Sequence, residues 1–293
     1  MPAAALALVV AAALLHALWN IAAKRAGGDA RLPLLSGAMV AVLWAPAALW
    51  AGWHEVPRWG WQPWAVIAAS AALHLAYFSA LLKGYRVGDL TVVYPVARGS
   101  GPLITAAAAV LLLGEPASVA AGVGAVAVAA GVVLIAGAAA PWRRAHDAAR
   151  RARVAAGVRW GLVTGVCIAA YSVVDAYAVK VLLIGPLIHD YLCNVLRVPM
   201  MLPMFWRDRA GLGDALRRHW RAALVVALLS PAAYILVLYA VTLAPLSHVA
   251  PAREVSMLVA ALLGGRLLGE GDRALRLLGA ACIAGGVVVL AVG

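Results

Sequence analysis

The sequence predicts an all-α integral membrane protein with ten transmembrane helices, arranged as two inverted repeats of five helices around a central cavity. The first observation is composition: 65% of the 293 residues are hydrophobic and 12% are charged. Soluble domains contain about 45–50% apolar and about 25% charged residues, so this chain lacks the polar groups to cover a water-exposed surface. The other observations are ten apolar windows of spanning length and a similarity between the two halves.

The apolar windows, here called segments 1 to 10, are separated by Gly, Pro and charged residues. They cover 3–23, 32–52, 62–82, 90–112, 117–139, 160–183, 185–205, 222–243, 247–268 and 274–292. Each holds about 20 residues, the length that a helix needs to cross a bilayer. Segment 1 lacks a preceding basic region, so we expect it to span the membrane rather than to be a cleaved signal peptide.

The two halves resemble each other when the chain is compared with itself at an offset of 155 residues. LLLGE at 111–115 then meets RLLGE at 266–270, and Arg98 meets Arg253. Five segments per half is an odd number, so the second repeat must enter the membrane in the opposite orientation. The predicted domains are a first repeat at 1–140, a connector with six Arg at 141–159, and a second repeat at 160–293.

Charge predicts the orientation. Of 24 Lys and Arg, 19 lie in or beside the loops after segments 1, 3, 5, 7 and 9. The positive-inside rule makes this side cytoplasmic, including 141–159, and puts both termini outside a bacterial-type inner membrane. We therefore attribute the net charge of +12 to topology. Without a basic domain interleaved with aromatic residues, we expect lipid and a small molecule as partners, and no nucleic acid.

Three motifs give the chain a family resemblance. LHALWNIAAK at 15–24, VYPVARGSGP at 93–102 and LLLGEP at 111–116 resemble the EamA-type branch of the drug/metabolite transporter superfamily. The resemblance implies ten helices around a cavity lined mainly by segments 3, 4, 8 and 9, with help from 1 and 6. It also implies transport of amino acids, sugars or other small metabolites, and the chain is similar to amino-acid exporters.

Polar side chains at membrane depth are expensive and usually face a bundle interior or a wet cavity. Arg98 is the strongest candidate, because a guanidinium can hold a substrate carboxylate bidentately; a permanent pair within the protein is the alternative. We expect Glu254 to approach Arg98, and Glu254 or His74 to meet a substrate amine. The predicted cavity residues are Trp19, Asn20, His74, Tyr77, Tyr94, Arg98, Tyr234 and Glu254.

A second set of residues is predicted to move protons or to move helices. Asp175, His74, Glu254 and Arg253 are candidates for proton coupling or gating. Asp175 pairing with Lys180 or with backbone is an equal alternative, and Lys180 snorkelling to the interface is another. His189 and Asp190 lie near the start of segment 7 and are expected at the interface. The predicted hinges are Pro95, Pro102, Pro231 and Pro251.

These patterns favour a transporter of small metabolites working by alternating access. The sequence contains neither a GxxxxGK[ST] nor an HExxH motif, so we expect no ATP hydrolysis, no metal site, no catalytic residue and no cofactor. On the residues above, the predicted substrate is a zwitterionic amino acid, aromatic or neutral, moving outward. A sugar, an organic ion or an intramembrane enzyme activity is the alternative. Proton-coupled and passive transport both remain open, and so does the oligomeric state, with which a monomer is compatible.

Overall fold

The protein is described from a computed structural model that covers residues 1–25, 29, 31–88, 90–135, 147–205, 209–264 and 273–293. Within these ranges the chain forms twelve α-helices and one 3-10 turn, and no strand. The helices are α1 (Ala3–Arg25), α2 (Leu32–Leu43), α3 (Ala45–Gly52), α4 (Trp61–Val87), α5 (Leu90–Leu113), α6 (Val119–Ile135), α7 (Ala148–Lys180), α8 (Pro186–Phe205), α9 (Arg209–Leu243), α10 (Leu246–Ala252), α11 (Val255–Gly264) and α12 (Arg273–Val292). The 3-10 turn covers Val56–Arg58.

Two of the predicted segments are broken helices. Segment 2 forms α2 and α3, which meet at Trp44 with a bend of 54°. Pro46 follows the break, and proline removes the backbone N–H that would continue the preceding helix. Segment 9 forms α10 and α11, with Arg253 and Glu254 in a turn between them. At both breaks, which lie inside a predicted spanning segment, side chains can point in directions that a regular helix would not allow.

The predicted connector at 141–159 is helical where it is described. α7 begins at Ala148, and the carboxylate of Asp147 caps it by accepting a hydrogen bond from the Arg150 backbone N–H at 2.6 Å. Ala and Arg have high helix propensity, which extends the membrane helix into the polar stretch. The part at 141–146 lies outside the described residues.

The chain is a multi-pass membrane protein. In its described part five helices are long and apolar enough to cross a bilayer: Ala3–Ala23, Trp61–Val87, Val92–Leu113, Ala148–Lys180 and Gly211–Leu243. The bent pair α2–α3 makes a sixth, while α6 and Leu277–Val292 are shorter apolar helices. By length and composition, ten spanning helices are therefore not confirmed. Large apolar side chains such as Leu111, Val119 and Leu277 are exposed on the outer surface, as expected for contact with lipid.

The bundle has two distinguishable ends. The Met1 ammonium donates to the Ala291 carbonyl at 2.7 Å, so the two termini meet at one end, here called the termini face. The opposite end, where α1 and α4 finish, is here called the basic face, and Arg151 and Arg153 are exposed there near the start of α7.

Helices α6 and α12 pack through glycines at backbone distance. A Cβ added to Gly131 would lie 2.5 Å from the Gly279 carbonyl oxygen, and one added to Gly124 would lie 2.9 Å from that of Gly286. Gly122, on the same helix, has nothing within 4 Å of an added Cβ. The contact therefore depends on the absence of side chains at particular positions and not on the flexibility of glycine.

Alanine substitutions on α6 are expected to have opposite signs. Gly131→Ala forces the helices apart and should lower the free energy of unfolding by about 1–3 kcal/mol, as overpacking does. Gly122→Ala should raise it by about 0.5–1 kcal/mol, because alanine loses less backbone entropy in a helix. Reversible unfolding in mixed micelles measures both. Equal effects of the two variants would contradict the packing described for Gly131.

Candidate functional site

A cavity of about 490 Å³ lies inside the bundle. Its inner end is at Ala12 in the middle of α1, and it reaches Asp29 beyond the end of that helix and Tyr85 near the end of α4. The cavity thus extends towards the basic face. Its walls come from α1, α2, α4, α5, α8 and α9, with Tyr171 of α7 and the break between α10 and α11. Segments 2 and 7 belong to the wall, and neither is in the lining that the resemblance implies.

Most of the predicted cavity residues lie on this surface. They are Trp19, Asn20, His74, Tyr77, Tyr94, Arg98 and Tyr234, joined by Arg253 and Pro231. Glu254 and Asp175 do not line the cavity and are almost completely buried behind its wall. Of the two residues predicted to meet a substrate amine, Glu254 or His74, His74 lies on the cavity wall, whereas protein covers the Glu254 carboxylate in this structure.

At the inner end of the cavity, two guanidinium groups share one carboxylate. Arg98 Nη2 lies 2.9 Å from Glu254 Oε2, and Arg253 Nε lies 3.8 Å from Glu254 Oε1. Two consecutive residues on a regular helix point about 100° apart, which would separate the side chains of Arg253 and Glu254. The helix ends at Ala252, so these two residues lie in a turn and both reach the same place. Two positive charges against one leave a surplus of one positive charge.

The remaining donors of the two guanidinium groups are only lightly used. Arg98 also contacts the Ser256 hydroxyl at 3.4 Å, and Arg253 contacts the Tyr171 hydroxyl at 3.3 Å. Both distances are long for a hydrogen bond, whereas charge-assisted bonds from guanidinium to an oxygen anion are usually about 2.7–2.9 Å. An anionic group entering the cavity would therefore find donors available on both residues.

Asp175 joins four helices. It accepts hydrogen bonds from Ser70 Oγ of α4 at 2.5 Å and from the Tyr234 hydroxyl of α9, and His189 Nε2 of α8 lies 3.0 Å from it. His74 Nε2, on the cavity wall, lies 4.0 Å away. A buried charge persists only when it is paired and hydrogen-bonded, and this one is. The cluster forms a polar route from the cavity surface into the protein.

Three expectations about these polar residues need correction. His189 and Asp190 are buried, not interfacial, because α8 turns its polar face into the bundle. Lys180 does not pair with Asp175; it lies at the end of α7 and binds Glu115 instead. The spacing of Asp190, Asn194 and Arg197 is that of one helix face and indicates a polar side of α8 that packs into the bundle.

The predicted hinge prolines differ in their surroundings. α5 runs without a break through Pro95 and Pro102, and α9 does so through Pro231. Only Pro251 lies next to an interruption, at the end of α10. Neighbouring helices satisfy the carbonyl groups that an intrahelical proline leaves free, so a proline need not interrupt a membrane helix.

Glu115 closes the termini face. Its carboxylate lies 2.9 Å from Lys180 Nζ and accepts from the backbone N–H groups of Leu246 at 2.6 Å and Ser247 at 2.9 Å. It therefore caps the first turn of α10 while holding the end of α7. Lys180 also donates to the Ala244 carbonyl at 3.1 Å. The cavity stops on the inner side of these contacts.

Neutralising Glu115 is expected to loosen the termini face. Burial opposes its ionisation, but the amides of Ser247 and Leu246 and the ammonium of Lys180 outweigh burial, so its pKa lies below the ordinary value. The stabilisation is present above the ordinary pKa of glutamate and is lost as pH falls through the lowered one. Glu115→Gln at neutral pH and strong acidification of the original chain should therefore act alike.

A buried cysteine can report this change. In a background without Cys167, Cys193 and Cys282, a cysteine at the buried position Ala244 should react slowly with a water-soluble maleimide. Glu115→Gln should raise its rate severalfold. Glu55→Gln is the matched control, because in the described part of the chain its carboxylate accepts a hydrogen bond from the Gly185 N–H on the same face and forms no ion pair. An unchanged rate in Glu115→Gln would contradict the closing role.

Comparison with known proteins agrees with this fold. The profile of the EamA-like transporter family matches residues 3–137 and 155–292, and the chain belongs to that family. Its members are membrane transporters of small solutes, as expected for a helical bundle with a cavity. Twenty-eight chains of solved structures match; one, titled only "Crystal structure of protein", is 18% identical, with a TM-score of 0.72 over 99% of this chain and 96% of its own. No curated protein matches.

Proposed function

We propose that this chain carries zwitterionic amino acids, aromatic or neutral, across a bacterial-type inner membrane by alternating access. One observation carries the proposal: a cavity that reaches a single face ends at Arg98 and Arg253, which share the carboxylate of Glu254. The surplus positive charge suits a substrate carboxylate. Trp19, Tyr77 and Tyr94 give the same cavity apolar surface for a side chain.

Alternating access in this proposal uses ten spans in two inverted repeats. The glycine contacts between α6 and α12 support it: an offset of 155 residues turns Gly124 into Gly279 and Gly131 into Gly286. The contact of Gly124 with Gly286 then becomes the contact of Gly279 with Gly131, which is also present. This is the relation expected of a twofold axis between the repeats.

The orientation completes the proposal. With the basic face in the cytoplasm, as the Arg distribution favours, the cavity is open inwards and Glu115 closes the periplasmic side. A substrate would then enter from the cytoplasm and displace Glu254 from part of the Arg98 guanidinium. Rocking of the repeats would open the termini face, so net direction would follow the gradients.

We also propose that Asp175 and His74 take part in proton coupling. His74 lies on the cavity wall and stacks on Tyr171, with ring centroids 4.0 Å apart, and Asp175 lies behind it. Such a pair can exchange a proton with the cavity when substrate arrives. Ionisable groups at this depth usually belong to substrate or ion pathways in membrane proteins.

Counterflow in proteoliposomes tests the proposed function. Vesicles are preloaded with mixed amino acids, and the uptake of labelled Phe, Trp, Thr, Met and a sugar is measured. We expect exchange of Phe or another amino acid, and none of the sugar. Exchange of the sugar alone would replace the substrate, and exchange of nothing in the panel would overturn the amino-acid proposal. Protein-free vesicles and Arg98→Gln serve as controls.

A further inference from the structure

The wall formed by α8 carries a charged group that the proposed mechanism does not yet use. Asp190, Asn194 and Arg197 follow each other along one face of this helix, and all three line the cavity. The Asn194 amide donates to Asp190 Oδ2 at 3.0 Å and to the Asp190 carbonyl at 2.8 Å, and its oxygen accepts from Arg197. The amide therefore stands between the carboxylate and the guanidinium.

Asp190 is the buried carboxylate whose partner is neutral. In the described part of the chain, Glu254 pairs with Arg98, and Asp175 contacts Ser70, His189 and Tyr234. Asp190 is 6% exposed, receives one hydrogen bond from an amide to its carboxylate, and has no ion pair with a cation in those described residues. An ionised carboxylate has about four acceptor sites, so most of its capacity faces the cavity unused.

Burying such a group without a cation is unfavourable unless a cation can be supplied. The nearest cations of the chain do not contact this carboxylate: Asn194 stands between it and Arg197, and His189 contacts Asp175 instead. A cation that enters the cavity could contact it directly, because Asp190 lines the cavity. A primary ammonium group carries three donors and one positive charge, as a lysine side chain does. It would bind Asp190 with charge-assisted hydrogen bonds and could reach the Asn194 oxygen as well.

We propose that Asp190 and Asn194 form the ammonium subsite of the transporter, on the α8 wall of the cavity that also holds Arg98 and Arg253. This rests on the proposed function and assigns the amine of the substrate to α8, where the sequence alone pointed to Glu254 or His74. The two subsites together select molecules that carry a free primary amine as well as a carboxylate. N-acylated amino acids lose one subsite, and decarboxylated ones lose the other.

Three probes separate the subsites in the purified full-length chain in nanodiscs. Phenethylamine has only the amine, N-acetylphenylalanine has only the carboxylate, and phenylalanine has both. Affinity is obtained from the rise of the unfolding temperature with probe concentration. Asp190→Asn should weaken phenethylamine and phenylalanine by at least about tenfold and leave N-acetylphenylalanine unchanged. Asp147→Asn, at the exposed start of α7 and outside the cavity lining, is the control and should change none of the three affinities.

The outcomes are distinguishable. Equal affinity for phenethylamine in Asp190→Asn and the original chain overturns the subsite, and so does the absence of any phenethylamine binding by the original chain. If phenylalanine counterflow persists in either case, the proposed function stands without this subsite. If phenethylamine binds through Asp190 but no amino acid is exchanged, the subsite stands and the amino-acid proposal fails. Asp190→Ser, which leaves an acceptor for Asn194, provides the same comparison if the asparagine variant does not fold.

Discussion

Replacing Arg98 by glutamine is expected to abolish transport and to lower the free energy of unfolding by about 3–5 kcal/mol. The buried carboxylate of Glu254 would lose the guanidinium 2.9 Å away and keep only the more distant one of Arg253 at 3.8 Å. Removing the closest partner of a buried charge is strongly destabilising. Glu254→Gln should destabilise by a similar amount, because it leaves Arg98 uncompensated beside Arg253. Counterflow and reversible unfolding in micelles measure the two effects.

The double variant Arg98→Gln/Glu254→Gln distinguishes an ion pair from two independent residues. If the two charges interact, the double variant should lose less free energy of unfolding than the sum of the two single losses, by about 1–3 kcal/mol. It should still not transport, since the carboxylate clamp is missing. Additive losses would exclude the coupling, and recovered transport would exclude Arg98 from substrate binding. Arg58→Gln, in the turn before α4, is a control without a described ion pair.

The second large effect is expected at Asp175. In the original chain Ser70, His189 and Tyr234 all contact the Asp175 carboxylate. In Asp175→Asn, one carboxylate oxygen is replaced by an amide NH₂ donor that faces one of these three residues. At least one buried donor would lose its acceptor, which costs about 1–3 kcal/mol, and more for a charged partner. Exposed Asp147→Asn is the control, because asparagine caps a helix about as well as aspartate.

Transport under an imposed pH gradient separates the proton role of Asp175 from its structural role. The original chain should move phenylalanine faster when the imposed pH gradient drives protons across the vesicle membrane in the direction opposite to the substrate. Asp175→Asn should retain counterflow at equal pH and lose the response to the gradient. A variant that keeps the full response would contradict proton coupling here, whatever its stability. An original chain that ignores the gradient would identify the cluster as structural.

The sequence was sufficient to locate the helices because hydrocarbon leaves few alternatives. Long apolar runs must form helices there, and within the described residues each segment overlaps a helix or a broken pair of helices. The same reasoning located Arg98 and Glu254, because a charge at that depth requires a partner and only a few were available. The cost of burying a charged side chain depends on that residue alone, and therefore the need for a partner can be deduced before the neighbouring helices are known.

Features that depend on how two helices meet could not be deduced in this way. His189 and Asp190 were assigned to the interface because they lie near the start of segment 7, yet packing of α8 against α2 and α4 buries them. The turn at Arg253 and Glu254 brings together side chains that a regular helix would separate. The helix breaks at Trp44, just before Pro46, whereas the helices that contain Pro95 and Pro231 are continuous. A proline in the sequence therefore does not by itself predict a break.

The glycine contact between α6 and α12 has a practical consequence for measuring motion. Two helices that touch backbone to backbone cannot slide along each other without separating first, so this pair is a fixed frame for the rest of the bundle. Spin labels at Val126 and Val288, which are exposed on these helices, should keep one distance in every state of the transport cycle. The distances from a third label, on any other helix, to these two positions can then be measured in each state. A change in those distances can be assigned to the helix that carries the third label.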